Sequence, residues 1–201
     1  MIIREIIPIN TKKSKIVFDD GECFALYKGE IRRLDIEIGR EIGEEEYYTT
    51  IYPTLKKRAF ARLLHILEIS FKSENDIIKK LRLSFYPDEA IKEAIEKAVK
   101  FGYIDDERYA KRYVDTYKDK YSKLKLKYKL MEKGINKEII ENALEEAYID
   151  ESPKIKRLLE KKHYFETDEF EKKQKIIASI MRQGYKYTEI KDIINDISTE
   201  I

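Results

Sequence analysis

Asp105, Asp106 and Glu107 stand together after Gly102, Tyr103 and Ile104, and adjacent carboxylates are the residue type that holds a metal ion or passes a proton. That chemistry needs further ligands or a partner base. No histidine or additional acid recurs nearby at ligand spacing, whereas acids at a helix start satisfy free amides and meet the positive end of the helix dipole. The trio therefore reads as a cap. His65 lies inside the apolar run LLHILE, and His163 stands alone beside Tyr164; both read as packing or surface residues. Cys23, the only cysteine, excludes an intrachain disulfide and reads as strand packing, not as a nucleophile. Neither GxxxxGK[ST] nor GxGxxG occurs among the seven glycines. The chain is expected to be no enzyme, with no catalytic, cofactor-binding or metal-binding residues.

Charge is the chemistry that remains. Lysine and arginine total 41 against 39 acids, so the net charge of +2 conceals any segregation along the chain. Between positions 111 and 133 lie Lys111, Arg112, Lys118, Lys120, Lys123, Lys125, Lys127, Lys129 and Lys133, against Asp115, Asp119 and Glu132 alone. This stretch can be a solvated helix surface, or it can make the sequence-independent phosphate contacts that seat a protein on nucleic acid. On a helical wheel Lys125, Lys129 and Lys133 form one stripe. Lys123 and Lys127 fall between the apolar sectors Leu126/Leu130 and Leu124/Tyr128/Met131, where they are expected to snorkel. Fifteen tyrosines also admit a base-stacking role, but most, Tyr113 and Tyr117 among them, recur at helical core spacing and read as packing.

The elements that must carry these residues are mostly helical. Residues 1–52 are the exception: IIREIIPI and SKIVFDDGECFALY are rich in Ile, Val, Phe and Tyr, with a hairpin signal at Asp20-Gly21. Two or three short strands are expected there, packed on the helices that follow. From Pro53 onward Leu55, Ala59, Leu63, Ile66 and Leu67 recur at spacings of three and four. Ser73, Pro87-Asp88, Asp105, Ser122, Asn136 and Thr167 mark helix starts, and Gly102, Gly134 and Gly184 mark helix ends. Nine helices fit between Pro53 and Ile201. Apart from signalling a folded chain, composition shows no signal-like apolar run and no stretch of about 18 apolar residues, so a soluble, cytoplasmic protein is expected.

The helices repeat. KKLRLSFYPDEAIKEAI from Lys79 aligns without gaps on YKLMEKGINKEIIENAL from Tyr128 and on ASIMRQGYKYTEIKDII from Ala178, at shifts of 49 and then 50 residues. The alternating KLKLKYKL, Lys123 to Leu130, looks like a strand with one cationic face, but its counterparts show no alternation, so it reads as the second helix of the second unit. The expected organisation is a β-containing element over 1–52, then three-helix repeats over 53–103, 104–150 and 151–201.

FGYIDDERYAKRYVDTY, Phe101 to Tyr117, followed by KLMEKGINKEIIENALEE, Lys129 to Glu146, resembles the RecX family of regulatory proteins in its Gly-Tyr-hydrophobic-Asp-Asp segment, Lys-Gly-Ile turn and Ile/Ala-Leu helix. RQGYKYTEIKDII resembles the family's terminal repeat, and the Asp-Gly hairpin the N-terminal extension of some members. Two departures stand out: Ser122, Leu124 and Tyr128 where members often carry glycine and arginines, and Phe85 where the sibling repeats have Gly134 and Gly184. The resemblance implies a mainly α protein, an elongated curved array of three tandem three-helix repeats. It implies a monomer that lodges in the RecA filament on single- or double-stranded DNA and modulates, usually inhibits, strand exchange and ATP hydrolysis. This would place it in DNA repair, homologous recombination and the SOS response, with no membrane and no cofactor. The nine cations from Lys111 to Lys133 are then the expected RecA- and DNA-binding residues. The alternative is a helical-repeat nucleic-acid-binding protein acting independently of RecA.

Overall fold

Burial alternates along Lys13–Phe18, with Ser14, Ile16 and Phe18 inward and the residues between them partly exposed, as a half-buried strand requires. In the computed structural model, which describes residues 1–199, this is β2, the centre of an antiparallel sheet ordered β1 (Ile3–Pro8), β2, β3 (Cys23–Tyr27). The turn expected at Asp20-Gly21 joins β2 to β3: Gly21 holds φ 89°, and Phe18 N donates to Glu22 O at 2.9 Å. A short helix α1 (Lys28–Arg33) follows, then α2 (Glu44–Glu46), which runs through a π-helical turn, Tyr47–Ile51, into α3 (Tyr52–Ile69). The sheet buries Ile3, Ile16, Phe18, Phe24 and Leu26 against Ile51 and Leu55, so the small sheet is stabilised by the first long helix.

The chain forms two compact units, Met1–Asp105 and Asp106 onward. The first holds the sheet and the helices α3, α4 (Glu74–Arg82) and α5 (Asp88–Lys100); the second holds α6 (Asp106–Tyr117), α7 (Lys123–Glu132), α8 (Lys137–Glu146), α9 (Ser152–Lys161), α10 (Phe170–Met181) and α11 (Tyr187–Thr199). Among the described residues α3 to α11 are the nine helices expected, in three triads. KLKLKYKL is helical within α7. Burial follows the internal alignment: Leu81, Leu130 and Ile180 are all fully buried, as are, within a few per cent, Ile91, Ile140 and Ile190.

Local signals place most helix ends. Ser73 and Ser122, 49 residues apart and both buried, accept hydrogen bonds from Asp76 N and Lys125 N, and Asn136 accepts from Glu138 N at 2.9 Å. Thr167 corrects one expectation. α10 begins at Phe170 after Glu169, and the Thr167 hydroxyl instead accepts from Glu169 N in the turn before it. Between the second and third helix of each triad one residue adopts a left-handed conformation: Phe85 at φ 60°, Gly134 at 77° and Gly184 at 97°. The turn geometry thus survives the loss of glycine in the first triad, at a cost of about 1–2 kcal/mol.

Gly184 is held by more than its φ. A Cβ there would meet Ser122 Oγ at 2.5 Å, because the turn before α11 sits on the start of α7. Gly102, at φ 70°, faces open space. Gly184→Ala should therefore lower the urea midpoint well beyond Gly102→Ala, which bears only the roughly 1–2 kcal/mol of the left-handed conformation. Equal losses in the two variants would show that the contact with Ser122 yields without cost.

Candidate nucleic-acid interface

Tyr109, Tyr113 and Tyr117 recur every fourth residue on α6, and Tyr121 follows in the turn. Their rings form a ladder with successive centroids 6.1, 4.7 and 5.6 Å apart. Burial, then the neighbouring Tyr117 and Tyr109, pushes the Tyr113 hydroxyl up to about 12. The inner rungs are packing, as expected from their spacing. The outermost rung is different: three ammonium groups gather on Tyr121, Lys125 at 4.9 Å from the ring centroid, Lys129 at 5.2 Å and Lys120 at 5.5 Å. Ser122 sets this geometry by capping α7, so that Lys125 and Lys129, one turn apart, lie over the ring.

The remaining members of the cationic stretch are placed differently. Lys111 pairs with Glu146 at 2.9 Å, Lys118 with Asp115 at 3.1 Å and Lys127 with Glu141 at 3.0 Å. The Lys127 ammonium holds the Glu141 carboxyl below its ordinary value. Arg112 is exposed on α6, Lys133 is half-buried at the end of α7, and Lys123 is exposed in the first turn of α7. Among the described residues Lys120, Lys125 and Lys129 have no carboxylate partner. Of the two apolar sectors on α7, Leu126 and Leu130 are fully buried, but Leu124, Tyr128 and Met131 remain 44%, 57% and 49% exposed. That second sector is surface beside the lysines, and Lys127 reaches across to α8.

Sequence reasoning did not foresee the joint that anchors α7. Glu151, next to α9, accepts from Lys123 N at 2.8 Å, and Ser122 Oγ donates to Gln183 O at 2.7 Å. Lys154 Nζ donates to Lys118 O at 2.7 Å and Tyr121 O at 3.1 Å, with Glu151 3.9 Å away. These partners lie 28 to 61 residues away along the chain, beyond any periodic signal. Burial raises the Glu151 pKa, against the opposing pull of Lys123 N and Lys154. A carboxyl with a raised folded-state pKa binds more protons folded than unfolded, so stability falls as pH rises from the ordinary value of 4.5 through the raised one. Glu151→Gln keeps an acceptor for Lys123 N and should flatten that decline, read as urea midpoints across a pH series. A wild-type slope in the variant would mean that another group carries it.

No group of three or more His, Cys, Asp or Glu among the described residues is arranged to hold a metal ion. Asp106 and Glu107 form the first turn of α6, in keeping with the capping reading. A cavity of about 580 Å³ in the first unit is walled by Phe18, Phe24, Tyr47 and Tyr48 and includes Cys23 and Glu89. His65 faces Glu68 at 3.5 Å and His163 faces Glu166 at 2.9 Å, both on exposed surface. No helix among the described residues is long and apolar enough to cross a membrane.

Residues 105–144, which run from the start of α6 through most of α8, match the family model described as RecX, second three-helix domain. The regulatory protein RecX of Clostridium acetobutylicum is 32% identical over 184 residues, covering 87% of this chain and 80% of the relative. The chain belongs to the RecX family. RecX of Caldanaerobacter subterraneus subsp. tengcongensis is 34% identical over 112 residues, 55% of this chain, and that match spans only 57% of the relative's length. A crystal structure of regulatory protein RecX superposes with a TM-score of 0.66, covering 94% of this chain and 98% of the other at 24% identity, which supports the mainly helical RecX fold with its small sheet. Within that fold the Tyr121 cluster lies inside the segment matched by the RecX second-domain model.

Proposed function

We propose that this RecX-family protein is a non-catalytic regulator that binds the RecA filament on DNA and lowers its ATP hydrolysis and strand exchange. Family membership supplies the class of regulator, and one observation supports the contact: Lys120, Lys125 and Lys129 converge on Tyr121 without a carboxylate partner among the described residues. Ammonium groups left without internal counter-ions are the natural partners of phosphates, and they position a protein without reading sequence. Beside them the exposed Leu124, Tyr128 and Met131 give α7 an apolar strip suited to protein, so a single helix offers both chemistries of a protein-coated DNA filament. The protein works as a monomer in the cytoplasm. Its regulatory units are the repeats 53–103, 104–150 and 151–201, preceded by the β-containing 1–52. Of the nine cations from Lys111 to Lys133, the Tyr121 trio carries most of the contact, because Lys111, Lys118 and Lys127 already neutralise carboxylates of their own chain.

Titrating the purified protein into RecA on single-stranded DNA should depress ATP hydrolysis. Unchanged hydrolysis at several-fold excess over RecA would remove the reading, and tight DNA binding by the protein in that case would favour a nucleic-acid-binding module acting alone. Exchanging Lys120, Lys125 and Lys129 for glutamine should reduce the salt dependence of binding by about 2 in log–log slope, at about 0.7 per single-strand phosphate contact. Lys111→Gln and Lys127→Gln should alter it far less. A full slope in the triple variant would assign the phosphate contacts to other residues.

A further inference from the structure

The first unit carries a second group of cations with too few counter-charges. Lys13 and Lys15 project from the same face of β2, and Tyr27 on β3 lies opposite Lys13. Lys13 Nζ sits 5.2 Å from the Tyr86 ring and 3.4 Å from Ser84 O, and Lys15 Nζ 4.8 Å from the Phe85 ring. From α3 the Arg58 guanidinium stacks 4.1 Å above the Tyr27 ring, and the exposed Arg62 follows one turn later on the same helix face. Burial, then the charges of Arg58 and Arg62, pushes the Lys13 ammonium below its ordinary value, and the Glu30 carboxylate opposes them. Glu30 is already engaged: its Oε2 accepts from Tyr27 N at 2.9 Å and lies 2.6 Å from Arg58 Nη1. Arg58 and Glu30 thus neutralise each other, and among the described residues Lys13, Lys15 and Arg62 have no carboxylate partner of their own. Like charges crowded around one spent carboxylate cost stability, and an anion would relieve them.

Phe85 supplies an independent observation. It occupies at φ 60° the left-handed position that its siblings fill with Gly134 and Gly184. Its carbonyl accepts from Ala25 N at 3.2 Å, a bond that glycine would make equally well. The ring belongs to neither apolar core of the unit; it is half-buried beside Lys15. Backbone strain kept for a ring outside the core points to a use for the ring at the surface.

We propose that Lys13, Lys15 and Arg62, with the rings of Tyr27 and Phe85, form a second binding surface that takes single-stranded nucleic acid. The cations meet the phosphodiester backbone, and unstacked bases lie on the rings. Phosphate supplies the missing negative charge, and the rings distinguish this ligand from an acidic peptide, which has no flat apolar group to set on them. The surface extends the nucleic-acid half of the function proposed above to the first unit, and it stands whether or not RecA is the partner.

The test is fluorescence anisotropy of a labelled oligo(dT) with the full chain and no RecA, in the wild-type and the Lys125→Gln/Lys129→Gln backgrounds. In both backgrounds Phe85→Gly should weaken binding about fivefold or more, the effect of losing one base–aromatic stack, while leaving the thermal midpoint unchanged or higher because the strain is released. Lys15→Gln with Arg62→Gln should lower the salt slope by about 1.4. Wild-type affinity and slope in both sets of variants, or polyglutamate binding as tightly as oligo(dT), would overturn the proposal. Because RecA is absent, neither result bears on inhibition of the filament.

Discussion

The fold of each helical triad depends on one backbone reversal: the left-handed residue between its second and third helices. With Phe85, Gly134 or Gly184 at positive φ, the chain turns within a few residues, and the buried ends of the two helices, such as Leu130 and Ile140, come to face one core. The first helix then closes the triad with its own apolar stripe, Ala59 and Leu63 in α3 or Ala110 and Val114 in α6. The turn also serves as a connector. In the last triad it rests on the capping Ser122 of the one before, and in the first its Phe85 carbonyl takes the amide of Ala25 at the sheet edge.

A chain with 41 basic and 39 acidic residues could neutralise nearly every charge locally, yet among the described residues two groups of cations outnumber the acids beside them. On α7 the i,i+4 spacing that places lysines over Tyr121 also keeps them away from the carboxylates of α8, which Lys127 reaches from the other side of the helix. Around β2 the strand period puts Lys13 and Lys15 on one face, and α3 brings arginine to the same place. In both groups aromatic rings hold the cations, a contact that orders the side chain while leaving its charge for a ligand.

Much of this was legible before any coordinates. The three-fold repeat, the nine helices, the caps at Ser73, Ser122 and Asn136 and the helical state of KLKLKYKL follow from short-range patterns, and the repeat outvotes a misleading alternation because three copies of one pattern must fold alike. Thr167 was misread because threonine makes the same side-chain-to-amide bond in an isolated turn as at a helix start. Leu124, Tyr128 and Met131 were read as a second apolar sector and proved half-exposed, since a wheel shows which residues share a face and not what covers it. The tyrosine ladder could be read from its spacing, but its cationic end could not.

By itself the sequence determined the local states: which segments coil, where they start and stop, and that the same three-helix unit recurs. Those are decided by backbone sterics, capping and periodic burial acting over a few residues. The tertiary structure decided which charges are spent and which are left over. Glu151 reaches Lys123 N across 28 residues and Lys154 reaches Lys118 O across 36, while Lys125 and Lys129 find a ring in place of an acid. Electrostatic partners are chosen by distance in space, and for residues this far apart along the chain only the packed fold sets that distance.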